Sequence, residues 1–307
     1  MGTAELARPI LERLSGTADI HVAAVVTQPD RPKGRELKLQ PSPVKELAVE
    51  KGLPVLQPER ARNEAFVKEL QSCHPDLIVV AAYGQILAPV ILEMPRFGCL
   101  NVHTSLLPKY RGAAPIQWAI LNDEEETGVT IMKMDAGLDT GPIVTQVRTP
   151  ISAEDDSATL HDRLAILGAE LLVQTLPDYL ANKIVPKPQP AEGASYARKI
   201  TKEDGEIDWT QPGRVVWNRI RAFTPWPGAF TYQQTKAARR LVKIWEAKVE
   251  EAAGTPGTVL AADKGGIVVG CGKQALRILN LQLEGGRRLT AQQFLAGHPL
   301  GAGECFG

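Results

Sequence analysis

An asparagine and a histidine stand two positions apart in the apolar run Cys99–His103, which has the sequence CLNVH. The run predicts a β-strand, and side chains at positions i and i+2 of a strand leave on the same face. Asn101 and His103 are therefore expected to project together from the strand end. A carboxamide can donate N–H bonds to a developing oxyanion, and an imidazole can give or take a proton near neutral pH. The pair suits acyl transfer. The alternative is that both side chains only satisfy backbone groups.

A carboxylate in a later turn is the third candidate. Asp139 lies in Met134–Ile143, a glycine-containing turn directly after another predicted strand. There it could approach His103 and position a water, or it could stabilise its own turn as an Asx motif. The loop Ser105–Gly112 contains two consecutive leucines and a proline, a poor composition for a solvated turn. Its apolar side chains could line a slot for a flat, partly apolar ligand.

The first half of the chain shows alternating helix and strand patterns, and the predicted elements must position these residues. Helical patterns cover Ala4–Leu14, Ser42–Gly52 and Ser157–Leu180, and strand patterns cover Ile20–Val26, Leu77–Ala82, Cys99–His103 and Gly128–Met134. This alternation predicts an α/β domain with a doubly wound, mostly parallel sheet. In such a sheet ligands bind beyond the carboxyl ends of the strands, where Asn101 and His103 would lie.

The composition of the chain changes at Lys183–Gly193, where three prolines stand at alternate positions. We expect an extended linker over residues 183–201, which would divide a catalytic domain of residues 1–182 from a second domain of residues 202–307. Short strand-like runs separated by turn residues predict that the second domain is a small β-barrel.

Composition narrows the classes of function. The 307 residues include 35 Lys and Arg and 35 Asp and Glu, so no global charge draws the protein to nucleic acid, and a polyanion would need a local basic patch. The four cysteines form no CxxC pair and the histidines show no metal-ligand spacing, so neither a disulfide framework nor a metal site is expected. Without a signal core or an apolar run of about 18 residues, we expect a cytoplasmic protein with no membrane partner.

Several motifs resemble the folate-dependent formyltransferases. Asn101–Ile120 followed by Glu126–Ile143 carries the resemblance to the superfamily. Within it, Thr27–Pro58, Asp204–Trp209 and Ile220–Phe230 are most similar to the family that formylates methionyl-tRNA. The resemblance implies a Rossmann-like formyltransferase domain followed by an OB-like barrel that binds tRNA.

The resemblance also implies a reaction and a site. The α-amine of methionine on the initiator tRNA would attack the formyl carbon of 10-formyltetrahydrofolate, without a metal. The catalytic trio of the family corresponds to Asn101, His103 and Asp139. The first two would stabilise the oxyanion, with His103 protonated, while Asp139 would hold His103 and help to remove the amine proton. The residues implied to border the folate are Ser105, Leu106, Leu107 and Pro108.

Basic residues supply the predicted contacts to tRNA. Arg31–Lys38 is a basic loop containing a glycine, which is either a solvated surface loop or, by the resemblance, the place where the acceptor end inserts. Lys33, Arg35 and Lys38 are its candidate contacts, with Arg35 foremost. A further set on the second domain could follow the phosphate backbone or form a charged barrel face, namely Arg239, Arg240, Lys243, Arg287 and Arg288.

Other functions stay open beside formylation of methionyl-tRNA. One is formyl transfer to a small amine such as a nucleotide sugar or a glycinamide, and another is a non-catalytic module that binds tRNA or folate. The basic loop and the second domain favour the tRNA acceptor, while the intact trio favours catalysis. Hydrolysis of the formyl donor stays open as a side reaction, and we expect a monomer.

The start of the chain departs from the family pattern. In these formyltransferases a β-branched strand precedes the Gly-Thr turn and lies mid-sheet, whereas this sequence begins at the turn, Met1-Gly2-Thr3. Backbone groups of two buried strands are then expected to face each other across a gap. We therefore expect Met1 to be an internal methionine, with several apolar residues upstream in the natural product. The alternatives are a poorly stable chain or a strand supplied from elsewhere.

Overall fold

The computed structural model describes residues 1–33, 38–234 and 239–307. Its helices, in chain order, are α1 Ala7–Ser15, α2 Pro43–Glu50, α3 Glu64–Ser72, α4 Pro89–Leu92, α5 Pro115–Leu121, α6 Ser157–Leu180, α7 Gly213–Ala222 and α8 Ala291–Gly297. Its strands are β1 Val25–Val26, β2 Arg31–Lys33, β3 Lys38–Gln40, β4 Val55–Leu56, β5 Ile78–Val80, β6 Cys99–His103, β7 Arg111–Gly112, β8 Glu126–Lys133, β9 Ile143–Pro150, β10 Tyr196–Ala197, β11 Ala229–Gln234, β12 Arg239–Glu250, β13 Val259–Asp263, β14 Gly266–Gly270, β15 Ala275–Leu283 and β16 Leu289–Thr290.

The chain forms two compact units. The first consists of Met1–Pro115, Glu126–Pro150 and His161–Ala197, and the second of Ile116–Glu125, Ile151–Leu160 and Arg198–Gly307. Within the described ranges, no helix is long and apolar enough to cross a membrane.

The first unit has the predicted α/β content, but its central sheet is mixed. The strand order is β5-β6-β8-β9, in which β5 and β6 are parallel while β8 runs antiparallel to both β6 and β9. Strands β8 and β9 follow each other through the loop 134–142, and a connection this short permits only antiparallel pairing. Among the described residues of the first unit, parallel pairing is found in β5–β6 and in the separate pairs β1–β4 and β7–β10, so the mostly parallel sheet predicted from the alternation is wrong for β8 and β9.

Local signals place several elements where the sequence predicts them. Ser42 caps α2, because its hydroxyl accepts a bond from Lys45 N, and Gly52 adopts a left-handed φ of 66° after the helix ends. Asp156 caps α6 by accepting bonds from Ala158 N and Thr159 N, each at 2.9 Å. These short-range interactions fix the helix ends that the sequence indicates.

Met1 and Gly2 lie between β1 and β5, where the absent first strand was expected. Gly2 N donates to Val26 O at 2.9 Å, Ala81 N donates to Met1 O at 3.0 Å, and the Met1 ammonium donates to Val79 O at 2.6 Å. A cavity of about 560 Å³ adjoins these residues. Met1 and Gly2 therefore join β1 to β5 beside this cavity.

The first predicted strand is much shorter than the apolar run that suggested it. Of Ile20–Val26, only Val25 and Val26 form a ladder, and they pair with Val55 and Leu56.

The second unit is built on an antiparallel sheet with the order β11-β12-β15-β14-β13, and β16 pairs with β15. The predicted β-barrel is not confirmed, because the edge strands β11 and β13 do not pair with each other in the described part of the chain. The C-terminal residues lie between them instead. Gly307 N donates to Tyr232 O on β11, and Val259 N on β13 donates to Glu304 O, each at 2.7 Å.

The segment predicted to be a linker makes regular backbone bonds within the first unit. Lys187 exchanges two bonds with Ile143 at the start of β9, at 2.7 and 2.8 Å, and β10 pairs in parallel with β7. Side chains of this segment are therefore held close to the loop that connects β8 and β9.

Candidate active site

Strand β6 presents the asparagine and the histidine from the interior of the four-stranded sheet. It is bonded to β5 on one side and to β8 on the other, and His103 is its last residue. His103 is buried, with 6% of its surface exposed, whereas Asn101 is half-buried. Because β6 is fixed on both sides, neither Cα can shift without disturbing the sheet.

The imidazole of His103 is oriented by a backbone carbonyl. Its Nε2 lies 2.9 Å from Tyr110 O. A carbonyl oxygen can only accept, so Nε2 carries a proton in this arrangement. The other nitrogen, Nδ1, faces Asp139.

Asp139 stands at the tip of the loop that connects β8 and β9, and a neighbouring aspartate organises that loop. Asp135 Oδ1 accepts bonds from Gly137 N at 3.0 Å and from Thr140 Oγ1 at 2.8 Å. The turn-stabilising Asx role considered for Asp139 is thus filled by Asp135. Asp139 itself has a left-handed φ of 52°, a conformation that non-glycine residues seldom adopt.

The carboxylate of Asp139 brings the three predicted residues together. Its Oδ1 accepts a bond from Asn101 Nδ2 at 3.2 Å, and its Oδ2 accepts one from Gly112 N at 2.9 Å. Oδ2 also lies 3.6 Å from His103 Nδ1, which is beyond a direct hydrogen bond but suits an ion pair when His103 is protonated. The Asp139 side chain is only 13% exposed, so this interaction is poorly screened by solvent.

The loop Ser105–Pro108 follows β6 and is anchored at two of its four positions. Ser105 is fully buried and its hydroxyl donates to Lys109 O at 2.6 Å. Leu107 is also buried, and its N–H donates to Thr130 Oγ1 at 3.1 Å. Leu106 and Pro108 are half-buried and retain surface that a ligand could cover.

The predicted contacts to tRNA are only partly within the described residues. Arg35 lies outside them. Lys33 and Lys38 are paired across the β2–β3 hairpin, and their side chains are likewise outside the description. The base of the hairpin is described: Asp30 accepts bonds from Lys45 Nζ at 2.7 Å and from Gln57 Nε2 at 2.8 Å. The bond from Lys45 holds the pKa of the Asp30 carboxyl below its usual range.

Two residues of the site do not emerge from sequence reasoning. Gly112 donates its N–H to Asp139 and has a φ of 110°, and a Cβ there would lie 2.7 Å from the Tyr196 ring. A glycine at the end of a loop is a usable, weak signal for such a position. Gln189 contacts both the Asp139 loop and Arg111, and nothing in its proline-rich segment distinguishes it beforehand.

Across the described ranges, no group of three His, Cys, Asp or Glu residues is placed to hold a metal ion.

Both parts of the chain match known family models. Residues 1–176 match the model of the formyl transferase family, and residues 199–299 match that of the formyl transferase C-terminal domain.

Curated relatives are similar over nearly the whole chain. The methionyl-tRNA formyltransferase of Trichlorobacter lovleyi is 49% identical over 99% of this chain and 94% of its own length. That of Caldanaerobacter subterraneus subsp. tengcongensis is 50% identical over 99% of this chain and 97% of its own length. The chain therefore belongs to the formyl transferase family and, within it, to the family of methionyl-tRNA formyltransferases.

Solved structures share the fold at lower identity. An N-formyltransferase from Helicobacter canadensis, in complex with folinic acid and dTDP-3-aminofucose, has a TM-score of 0.63 at 19% identity and covers 90% of this chain and 97% of its own. HypX from Aquifex aeolicus, in complex with tetrahydrofolic acid, has a TM-score of 0.60 at 19% identity and covers 92% of this chain and 48% of its own.

Proposed function

We propose that this protein transfers the formyl group of 10-formyltetrahydrofolate to the α-amine of methionine on initiator methionyl-tRNA. The observation that carries the chemistry is the convergence of Asn101, His103 and Asp139 beyond the end of β6. The choice of acceptor is supported by relatives that are about half identical over almost their full lengths.

Asn101 is proposed as the donor to the oxyanion. Formyl transfer passes through a tetrahedral intermediate in which the formyl oxygen becomes negatively charged, and fixed donors lower the energy of that state. The Asn101 amide has two N–H groups, and one of them is directed to Asp139 Oδ1. The second is free to point at the oxyanion, while the bond to Asp139 fixes the amide plane.

His103 is proposed to act through Nδ1, since Nε2 is bonded to Tyr110 O. As the N–C bond to methionine forms, the formyl oxygen gains a negative charge and the attacking nitrogen becomes positive. Protonated His103 would stabilise the oxyanion, and Asp139 Oδ2 would stabilise the imidazolium at 3.6 Å. Protonated His103 would give its Nδ1 proton to the folate nitrogen as that C–N bond breaks, and the amine proton passes, directly or through water, to Asp139 or to the His103 so neutralised.

The loop Ser105–Pro108 is proposed to border the folate. Burial of Ser105 and Leu107 holds its backbone. Leu107 N donates to Thr130 Oγ1 and Gln146 Nε2 donates to Leu107 O, and these two bonds fix the course of the loop. Leu106 and Pro108 would then offer an apolar surface to the flat pterin.

The β2–β3 hairpin is proposed to hold the acceptor end of the tRNA through Lys33, Arg35 and Lys38. The anchoring of Asp30 by Lys45 and Gln57 supports this role, because a hairpin fixed at its base can present basic residues to phosphates at small entropic cost. We further propose that the protein acts as a monomer in the cytoplasm.

Labelled formyl donor tests the acceptor directly. The protein would be incubated with formyl-labelled 10-formyltetrahydrofolate and, in parallel, with initiator methionyl-tRNA, a nucleotide amino sugar, glycinamide ribonucleotide or buffer. We expect label on tRNA-bound methionine. Label on a small amine alone would mean that this amine, and not methionyl-tRNA, is the acceptor. Label released only as formate would mean that the protein hydrolyses the donor and does not transfer its formyl group. If the donor stays intact in all four reactions, the proposal of catalysis fails.

A further inference from the structure

Gln189 lies on the extended segment that follows α6 and reaches the loop carrying Asp139. Its Nε2 donates to Asp139 O and to Gly141 O, each at 2.8 Å. Its Oε1 accepts two bonds from the Arg111 guanidinium, from Nε at 3.0 Å and from Nη2 at 2.7 Å. Both N–H groups and the oxygen of the side chain are thus engaged at once.

The partners leave only one orientation for the amide. The two carbonyls that face Nε2 can only accept, and the guanidinium that faces Oε1 can only donate. A glutamate would have a similar shape and could keep the interaction with Arg111, but it would place a negatively charged oxygen against two carbonyl oxygens. The site is therefore selective for glutamine over its acidic counterpart.

Both partners of the Gln189 side chain are connected to the proposed reacting residues, Asp139 and His103. On one side, Gln189 holds the carbonyl of Asp139, whose left-handed φ of 52° needs support from its surroundings. On the other side, Arg111 stands between Tyr110, whose carbonyl orients His103, and Gly112, whose N–H donates to Asp139 Oδ2. One side chain therefore joins the loop that carries the carboxylate to the strand that fixes the imidazole.

We propose that Gln189 is a positioning residue for formyl transfer, which sets the Asp139 carboxylate against Asn101 and His103 Nδ1. This proposal rests on the function proposed above. Gln189 acts through Asp139, and we assign it no contact with the substrates.

The test compares Gln189→Met and Gln189→Glu with Lys187→Met. Lys187 lies on the same segment, its side chain is exposed, and it pairs with Ile143 through its backbone alone. We expect both Gln189 variants to lower kcat by about 10- to 100-fold, because a small displacement of a reacting group costs that much, while KM for both substrates changes by less than about threefold. Lys187→Met should retain full activity. Circular dichroism and thermal melting would verify that each variant folds.

A double-variant cycle separates positioning from general support of the fold. If Gln189 acts through the carboxylate, Gln189→Met should cost little further activity in an Asp139→Asn background. Additive losses, or an unchanged kcat in Gln189→Met, would overturn the proposal.

A spectroscopic measurement keeps this inference distinct from the proposed function. The imidazole nitrogen signals of His103 would be recorded by NMR in the unsubstituted protein and in Gln189→Met. A changed Nδ1 signal is expected even if methionyl-tRNA were not the acceptor, whereas identical signals would overturn the positioning role. Failure of the unsubstituted protein to formylate methionyl-tRNA would instead defeat the proposed function.

Discussion

Asn101 Nδ2 lies 3.2 Å from Asp139 Oδ1, so an amide on an interior strand is bonded to a carboxylate at the tip of a hairpin loop 38 residues later. The bond consumes one N–H of Asn101 and one oxygen of Asp139. The amide has a second N–H, which we propose is directed at the oxyanion. The second carboxylate oxygen accepts a bond from Gly112 N and lies 3.6 Å from His103 Nδ1. Substitution of either residue removes this bond between Asn101 and Asp139, so each substitution is informative about the pair.

Asn101→Ala should lower the turnover of formyl transfer by about 10²- to 10³-fold, as expected for the loss of one oxyanion donor. Folate affinity, measured by fluorescence titration, should change little because the lost bond forms with the transition state. Asn280→Ala is the matched control, since Asn280 is also a strand asparagine bonded to a carboxylate, that of Glu246, in the second unit. Near-normal turnover in Asn101→Ala would remove the oxyanion role.

His103→Ala and Asp139→Ala should each reduce turnover strongly, and their losses should not add. Asp139 is proposed to work by stabilising the His103 imidazolium across 3.6 Å, so removing the carboxylate matters less once the imidazole is gone. Single-turnover rates of the two single variants and the double variant would be compared. A double variant impaired by the product of the two single losses would mean that the residues act independently.

The sequence predicts this pair well because the pattern that reveals it is local. The i, i+2 spacing of Asn101 and His103 fixes their common face once Cys99–His103 is a strand, and that strand has the predicted bounds. Helix α6 likewise has the predicted bounds, Ser157–Leu180, and Asp156 caps its first turn. These features depend on residues within one turn or one strand of each other.

Features set by distant partners are less accessible to sequence reasoning. Strand β8 is antiparallel to β9 because a short loop connects them, and this pairing is evident only once the two strands are known to be neighbours. Strand β1 comprises only Val25 and Val26 of a longer β-branched run, and its partner is the distant strand β4. Gln189 falls in a proline-rich stretch that predicts only an extended chain. The proposed role of Gln189 depends on the loop that this segment lies against, and the spacing of apolar residues does not indicate which loop that is.

Arg35→Ala should weaken formylation of methionyl-tRNA while sparing hydrolysis of the formyl donor, because the residue is proposed to contact only the acceptor. Charge reversal in Arg35→Glu should reduce formylation further, since it repels phosphate. Loss of one phosphate contact should also reduce the salt dependence of tRNA binding by about one unit of slope. Arg13→Ala serves as the control, because Arg13 is an exposed arginine paired with Glu170. Equal losses in both reactions would mean that the loop supports the fold instead.

An ion pair in the second unit should give the protein a defined sensitivity to acid. Asp204 receives bonds from both terminal nitrogens of Arg198, and Thr201 N donates to its Oδ2 at 2.8 Å. The Arg198 guanidinium lowers the pKa of Asp204 to about 2 from its ordinary value of 3.8. The Asp204 side chain is 17% exposed and that of Arg198 is 48% exposed, so solvent screens part of the interaction.

The direction of the pH effect follows from proton binding. Between pH 3.8 and about 2, the unfolded chain binds a proton at Asp204 while the folded protein does not, so the stabilisation is complete above this window and is lost as the pH falls through it. Asp204→Asn should therefore cost about 1–2 kcal/mol at neutral pH, and its difference from the unsubstituted protein should shrink between pH 4 and 2. Urea titrations at pH 7, 4, 3 and 2.5 would measure this, with Asp19→Asn controlling for loss of an exposed charge. A difference that stays constant across these pH values would show that Asp204 does not contribute to stability as a charged partner of Arg198.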